Sequence, residues 1–199
     1  MSDPAPPPPE PARRTSPRLD LPGRGAVARR LAEVLRVDHA GELGAVHIYR
    51  GQQAVFAAAR KKGEIAARLA VMGAHEARHL AAFDALLTER RVRPTLLAPL
   101  WRAAGFALGA GTALMGEKAA HACTEAVETV IERHYADQVA ELERSEPALA
   151  ADLAQFRDDE LAHRDAAVSQ GARDAFGHPV LSAVIQAGCR VAIKLTEKL

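Results

Sequence analysis

Glu76-Ala77-Arg78-His79 and Glu160-Leu161-Ala162-His163 are two copies of Glu-x-x-His, each within a stretch whose apolar residues recur at three- and four-residue steps. Residues three apart on a helix share a face, so each pair can point at one metal ion. A single match is cheap, because Glu and His are common on solvated helix faces. The upstream sequence raises its weight. Glu42, Tyr49 and Gln52 form Glu-x6-Tyr-x2-Gln, and Glu128, Tyr135 and Gln138 repeat it. Glu42 precedes Glu76 by 34 residues and Glu128 precedes Glu160 by 32. The chain therefore reads as two helical hairpins of one design. Each supplies a Glu from its first helix and a Glu plus a His from its second, the ligand set of carboxylate-bridged di-iron and di-manganese bundles.

The residue types suit that chemistry. Four glutamates carry four negative charges and balance two divalent cations, and buried charge is tolerable only when paired. Carboxylates are hard donors that can bridge two ions, and one imidazole on each ion completes an iron- or manganese-like set. By analogy with such sites, Glu76 and Glu160 bridge, Glu42 and His79 hold one ion, and Glu128 and His163 hold the other. Cys123 and Cys189 lie away from both motifs, which argues against a zinc–thiolate site. The bland alternative pairs these glutamates with Arg50, Arg78, Arg133 and Arg164 on the surface. His39, His47, His75, His121 and His134 are expected as supporting or surface residues. Asp38 and Asp159 are candidate acceptors for the ligand imidazoles. Tyr135, two turns beyond Glu128, can reach the site, with Tyr49 as its repeat mate; a core tyrosine with a satisfied hydroxyl is the default for both.

Working outward, the helical period begins at Val27 and runs through Val55; further helices are expected over about 64–90, 117–144 and 149–171. Two shorter apolar stretches, Leu96–Met115 and Val180–Leu199, complete an all-α domain spanning residues 26–199. Residues 1–25 are rich in proline and carry Arg13, Arg14 and Arg18, so a disordered arm is expected, serving as a solubilising tail or a weak basic tether for anionic lipid. Aromatics make up only 4% against 48% apolar residues, so Ala, Leu and Val carry the apolar content and favour helices. With 26 Lys+Arg against 25 Asp+Glu, nothing draws the chain to nucleic acid. Two cysteines outside any C-x-x-C motif suit a reducing compartment.

At longer runs the sequence resembles the demethoxyubiquinone hydroxylase family. The similar stretches are Arg36-Val37-Asp38-His39-Ala40-Gly41-Glu42, Arg91-Val92-Arg93-Pro94-Thr95, Gly105 to Leu114, Ala122-Cys123-Thr124 and Gln186 to Ile193. The resemblance covers the chain from about Val34 to its end, and Glu42, Glu76, His79, Glu128, Glu160 and His163 match all six metal positions of the family pattern. It implies a ferritin-like four-helix bundle with two additional short apolar helices. It implies two iron ions per chain, with Glu76 and Glu160 bridging. The implied reaction is O2-dependent hydroxylation of 2-polyprenyl-3-methyl-6-methoxy-1,4-benzoquinol in ubiquinone biosynthesis. Electrons are expected from NADH or from the quinol itself, with Tyr135 and His134 resembling residues proposed for that route. No Gly-rich dinucleotide fingerprint is present, so a Rossmann-type NADH site is not expected.

A polyprenyl quinol resides in a bilayer, so a peripheral site on the cytoplasmic side of the cell membrane is expected, along with a homo-oligomer or a complex of ubiquinone-synthesis proteins. Leu96–Met115 approaches spanning length, but Arg102 and its glycines favour a helix lying in the interface or lining a channel. Gly105, Ala187 and Gly188 are small enough for close helix packing. An iron-storage ferroxidase, a manganese catalase-like enzyme and a non-enzymatic helical scaffold remain as rival readings at this point.

Overall fold

The computed structural model describes residues 24–59 and 63–199; the proline-rich arm expected over residues 1–25 lies, but for its last two residues, outside them. Six α-helices follow in order: α1 (Arg24–Ala58), α2 (Gly63–Arg90), α3 (Ala98–Leu114), α4 (Glu117–Leu142), α5 (Pro147–Ser169) and α6 (His178–Thr196), with a short 3-10 turn at Ala172–Asp174 before the last. No strand occurs among the described residues. The expected all-α class is what the chain adopts.

The helix ends follow local chemistry. Glu64 in the first turn and Arg90 in the last turn of α2 complement its dipole. Beyond it Arg91 takes a left-handed φ of 54°, and the Val92 N–H reaches back to the Leu87 carbonyl at 2.9 Å. That is a Schellman closure, with arginine where glycine is usual. Pro99, Pro147 and Pro179 do not interrupt helices. Each sits in the first turn of α3, α5 or α6, where a missing N–H costs nothing. Gly116, at φ 117°, lets α4 begin almost directly after α3.

The core forms two apolar layers with a polar layer between them. One layer joins Val34, Leu35, Phe83, Leu87, Leu142, Leu149 and Leu153 from α1, α2, α4 and α5. The other joins Tyr49, Phe56, Ile65, Leu69, Ala113 and Ala120. Glu42, Glu76 and Glu128 fall between these layers along their helices, and Glu160 follows the first layer's Leu153 by two turns on α5. The hairpins α1–α2 and α4–α5 make the bundle; α3 lies along α1 and α6 along α4. The α1–α3 crossing is very close: a Cβ on Gly109 would fall 2.0 Å from the Ile48 carbonyl oxygen, and one on Gly105 would fall 2.6 Å from that of Gly44. The expected role of Gly105 holds. Gly188 has no atom within 4 Å of an added Cβ, so it mediates no such contact.

The apolar segments differ from expectation in one respect. Leu96–Met115 yields a 17-residue helix, whereas the 19-residue α6 is the one described helix long and apolar enough to cross a membrane. Only 11% of that α6 stretch is buried.

Candidate metal centre

All six candidate ligands are buried and converge. Glu42, Glu76, His79 and Glu160 form one group, and Glu76, Glu128, Glu160 and His163 form another; within each, one donor atom per residue lies within 4.8 Å of the others. Glu76 and Glu160 belong to both groups, the placement bridging carboxylates require. The four carboxylates are at most 1% exposed. None of them pairs with the arginines of the surface alternative, and Arg164 instead meets Glu132 and Asp165.

Both imidazoles turn Nδ1 inward. His79 Nδ1 lies 3.1 Å from Glu160 and 3.6 Å from Glu42. His163 Nδ1 lies 2.8 Å from Glu76 and 3.5 Å from Glu160. Their Nε2 atoms face outward, that of His79 to Asp159 at 3.1 Å and that of His163 to His75 at 3.3 Å. Asp159 thus sits where an acceptor was expected. Asp38 does not: it takes a hydrogen bond from Gln138 at 2.8 Å and lies 3.4 Å from His134 Nε2.

Both tyrosines reach the site with satisfied hydroxyls, as the sequence allowed. Tyr135 serves not the Glu128 of its own helix but Glu42 of α1, to which its hydroxyl donates. Tyr49 donates to Glu128 at 3.0 Å. The repeat Glu-x6-Tyr therefore encodes an exchange between halves. Gln52 and Gln138 diverge: Gln52 donates to the Ala120 carbonyl, and Gln138 to Asp38. Of the remaining histidines, His39 meets Asp84 at 3.0 Å and His47 its own helix's Leu43 carbonyl at 2.8 Å, while His121 is buried.

Protein groups alone leave the centre electrostatically incomplete. Burial pushes the Glu76 and Glu128 carboxyls well above the ordinary carboxylate range and raises Glu42 as well, with neighbouring carboxylates adding to the rise at all three. Glu160 is the exception. Burial opposes its charge, but the His163 and His79 imidazoles beside it hold it at about 2. Burial likewise works against the His79 charge, yet Glu160 and Glu42 push that imidazole up to about 11. Both Glu76 oxygens, one oxygen each of Glu42, Glu128 and Glu160, and His163 Nδ1 are buried without a hydrogen-bond partner. Buried polar atoms are rarely left so. These atoms face one another in the two four-residue groups, and hard oxygens with one imidazole per group fit a pair of iron- or manganese-like cations.

Beside the centre lies an apolar cavity of about 330 Å³ between α1, α4, α3 and α6. Gly41 and Val127, chain neighbours of Glu42 and Glu128, belong to its wall. At its rim Trp101 Nε1 donates to Thr196 Oγ1 at 3.1 Å, tying α3 to α6. The sequence reading did not single out this latch; nothing in either segment pairs those two residues.

Comparison with known proteins follows the same lines. Residues 29–196 match the family described as Ubiquinone biosynthesis protein COQ7. A 3-demethoxyubiquinol 3-hydroxylase of Rhodospirillum rubrum is 51% identical over 179 residues, covering 90% of this chain and 83% of that protein. The human NADPH-dependent 3-demethoxyubiquinone 3-hydroxylase, mitochondrial, is 46% identical over 198 residues, covering 94% and 88%. The 5-demethoxyubiquinone hydroxylase, mitochondrial, of Saccharomyces cerevisiae is 43% identical, covering 87% and 80%.

Proposed function

Since the chain belongs to the family of Ubiquinone biosynthesis protein COQ7, we propose that its buried carboxylate–imidazole centre holds two iron ions for the hydroxylation it performs. The chain is an enzyme of ubiquinone biosynthesis that hydroxylates the ring of the demethoxylated precursor, 2-polyprenyl-3-methyl-6-methoxy-1,4-benzoquinol. Glu42, Glu76, His79 and Glu160 would hold one ion and Glu76, Glu128, Glu160 and His163 the other, so Glu76 and Glu160 would serve both. The chemistry that bound iron supplies is activation of O2, so that one oxygen atom enters the ring and the other leaves as water.

The protein's own groups set the conditions. Apolar layers above and below the carboxylates exclude water. Tyr49 and Tyr135 orient Glu128 and Glu42, and burial keeps both phenols protonated, well above their ordinary value. The side chains lining the cavity are hydrocarbon apart from Trp101, Thr196 and Cys189, and the first two satisfy each other. That surface suits a quinol ring and the start of its isoprenoid tail. His134 is partly exposed and contacts Gln138 and Asp38, with Tyr135 as its chain neighbour. These contacts, running from the surface to the buried Tyr135, support a reductant site at His134 and Tyr135. The reductant is NADH or NADPH, the latter appearing in the name of the human relative. Exposed Leu114, Met115, Phe176, Val180, Val184 and Val191 around α3 and α6 support peripheral docking on a membrane that holds the substrate, at the cytoplasmic face of the cell membrane.

The observation that carries this reading is the convergence of four fully buried carboxylates, five of whose eight oxygens lack a hydrogen-bond partner. Quinones extracted from cells lacking the protein should contain the demethoxy precursor in place of ubiquinone, and a Glu76→Ala gene should not restore it. Purified protein should carry about two irons per chain by the ligand count, lost in Glu76→Ala. Normal ubiquinone in the deleted cells would defeat the assignment of the reaction; metal-free active enzyme would defeat the centre.

A further inference from the structure

The two Glu-x-x-His segments are alike at the ligands and unlike one residue earlier. His75 precedes Glu76, and Asp159 precedes Glu160. Each reaches across the bundle to the imidazole of the opposite segment, Asp159 to His79 Nε2 and His75 to His163 Nε2. An imidazole that binds a cation through Nδ1 carries its proton on Nε2 and donates it outward. For His79 the acceptor is a carboxylate oxygen at 3.1 Å. For His163 it is an imidazole nitrogen at 3.3 Å.

These acceptors differ in kind. A carboxylate makes a charge-assisted bond, draws the Nε2 proton and makes Nδ1 a better donor to a cation. It also adds a negative charge near that subsite. The Asp159 side chain is 37% exposed, which screens the charge but leaves the direct hydrogen bond intact. Neutral imidazole supplies no charge and a longer bond. The other ligands are matched between subsites: one Glu with a tyrosine on it, and two shared carboxylates.

We propose that the two metal subsites are unequal, and that Asp159 makes the Glu42–His79 subsite fill first while His75 leaves the Glu128–His163 subsite weaker. The inference rests on the two-metal reading above. Asp159 and His75 are positioning residues that act through His79 and His163.

The test is titration of the metal-free full chain with Co(II), counted by equilibrium dialysis and followed by the visible cobalt bands. Wild type should bind two ions in two steps. Asp159→Asn should weaken the first step by about 10–100-fold, the usual effect of removing such a partner, and change the spectrum at one equivalent. Asp159→Glu should restore both. His75→Asp should strengthen the second step and bring the two together, altering only the spectral increment between one and two equivalents. Inseparable steps in wild type, or an Asp159→Asn effect spread equally over both steps or absent, would overturn the inequality while leaving the two-metal centre standing. Failure of folded wild-type protein to bind any Co(II) would remove that centre, and this inference with it.

Discussion

The hydroxyl of Tyr49, on α1, donates to Glu128, on α4, at 3.0 Å, so a tyrosine of one half orients a carboxylate of the other. Tyr135 returns the bond to Glu42. The halves are therefore joined at the carboxylates themselves as well as by apolar packing. In metal-free protein Tyr49→Phe strips a buried Glu128 oxygen of its tyrosine donor. Leaving such an acceptor unsatisfied costs about 1–3 kcal/mol. Thermal unfolding should drop by roughly 2–4 °C per kcal/mol for a chain of this size. Calorimetry checks this, and an unchanged midpoint would show that the bond contributes nothing.

The buried carboxylates give metal-free protein an unusual pH profile. Glu42, Glu76 and Glu128 have raised values, so their stabilising contribution is full below the ordinary carboxylate range and is lost as pH rises through the raised ones. His79, pushed up to about 11, contributes fully below its ordinary value and loses that only towards alkaline pH. Glu160, held at about 2, opposes this trend only in strong acid. Metal-free protein should therefore melt lower at pH 9 than at pH 5. Added Mn(II) should raise the midpoint more at pH 8 than at pH 5, because cations take the place of protons there. Thermal scans with chelator and with Mn(II) provide the comparison.

Two glycines of α3 should respond in opposite ways to alanine. At Gly109 the new Cβ would strike the Ile48 backbone, which cannot move aside without shifting α1. Overpacking of this kind costs about 1–3 kcal/mol or more. At Gly111 nothing lies within 4 Å. Gly111→Ala should be neutral or stabilise by up to about 1 kcal/mol through helix propensity. Denaturant midpoints of the two variants, side by side, measure the difference.

Filling the cavity should separate substrate binding from the centre. Gly188 lies in the cavity wall with open space at its Cβ position. Gly188→Leu should fold and keep its iron, yet turn over a long-tailed quinol poorly through a raised KM. Iron analysis alongside quinol kinetics is the measurement. Equal loss of iron would mean that the substitution acts through the bundle.

On α6 the exposed apolar side chains can be tested directly. Val184 and Val191 are 65% and 57% exposed. Burying a valine side chain in lipid gains about 1.5 kcal/mol, near a factor of ten in partitioning. Val184→Glu with Val191→Glu should lower co-sedimentation with lipid vesicles by at least that factor. Unaltered sedimentation would exclude α6 as the docking face.

The primary structure alone determined the helices, the two-hairpin plan and the six converging side chains. Helical periodicity and ligand spacing are local, and a doubled Glu-x6-Tyr with Glu-x-x-His leaves few other meanings. What only the tertiary fold decided is which half each group serves. Tyr135 reaches Glu42, Asp159 backs His79, His75 backs His163, Asp38 turns to Gln138, and Trp101 finds Thr196. The physical reason is that spacing along a helix fixes the face on which a side chain lies but not the partner across the bundle. That partner is set by how the two hairpins dock, and the docking depends on contacts between residues tens of positions apart.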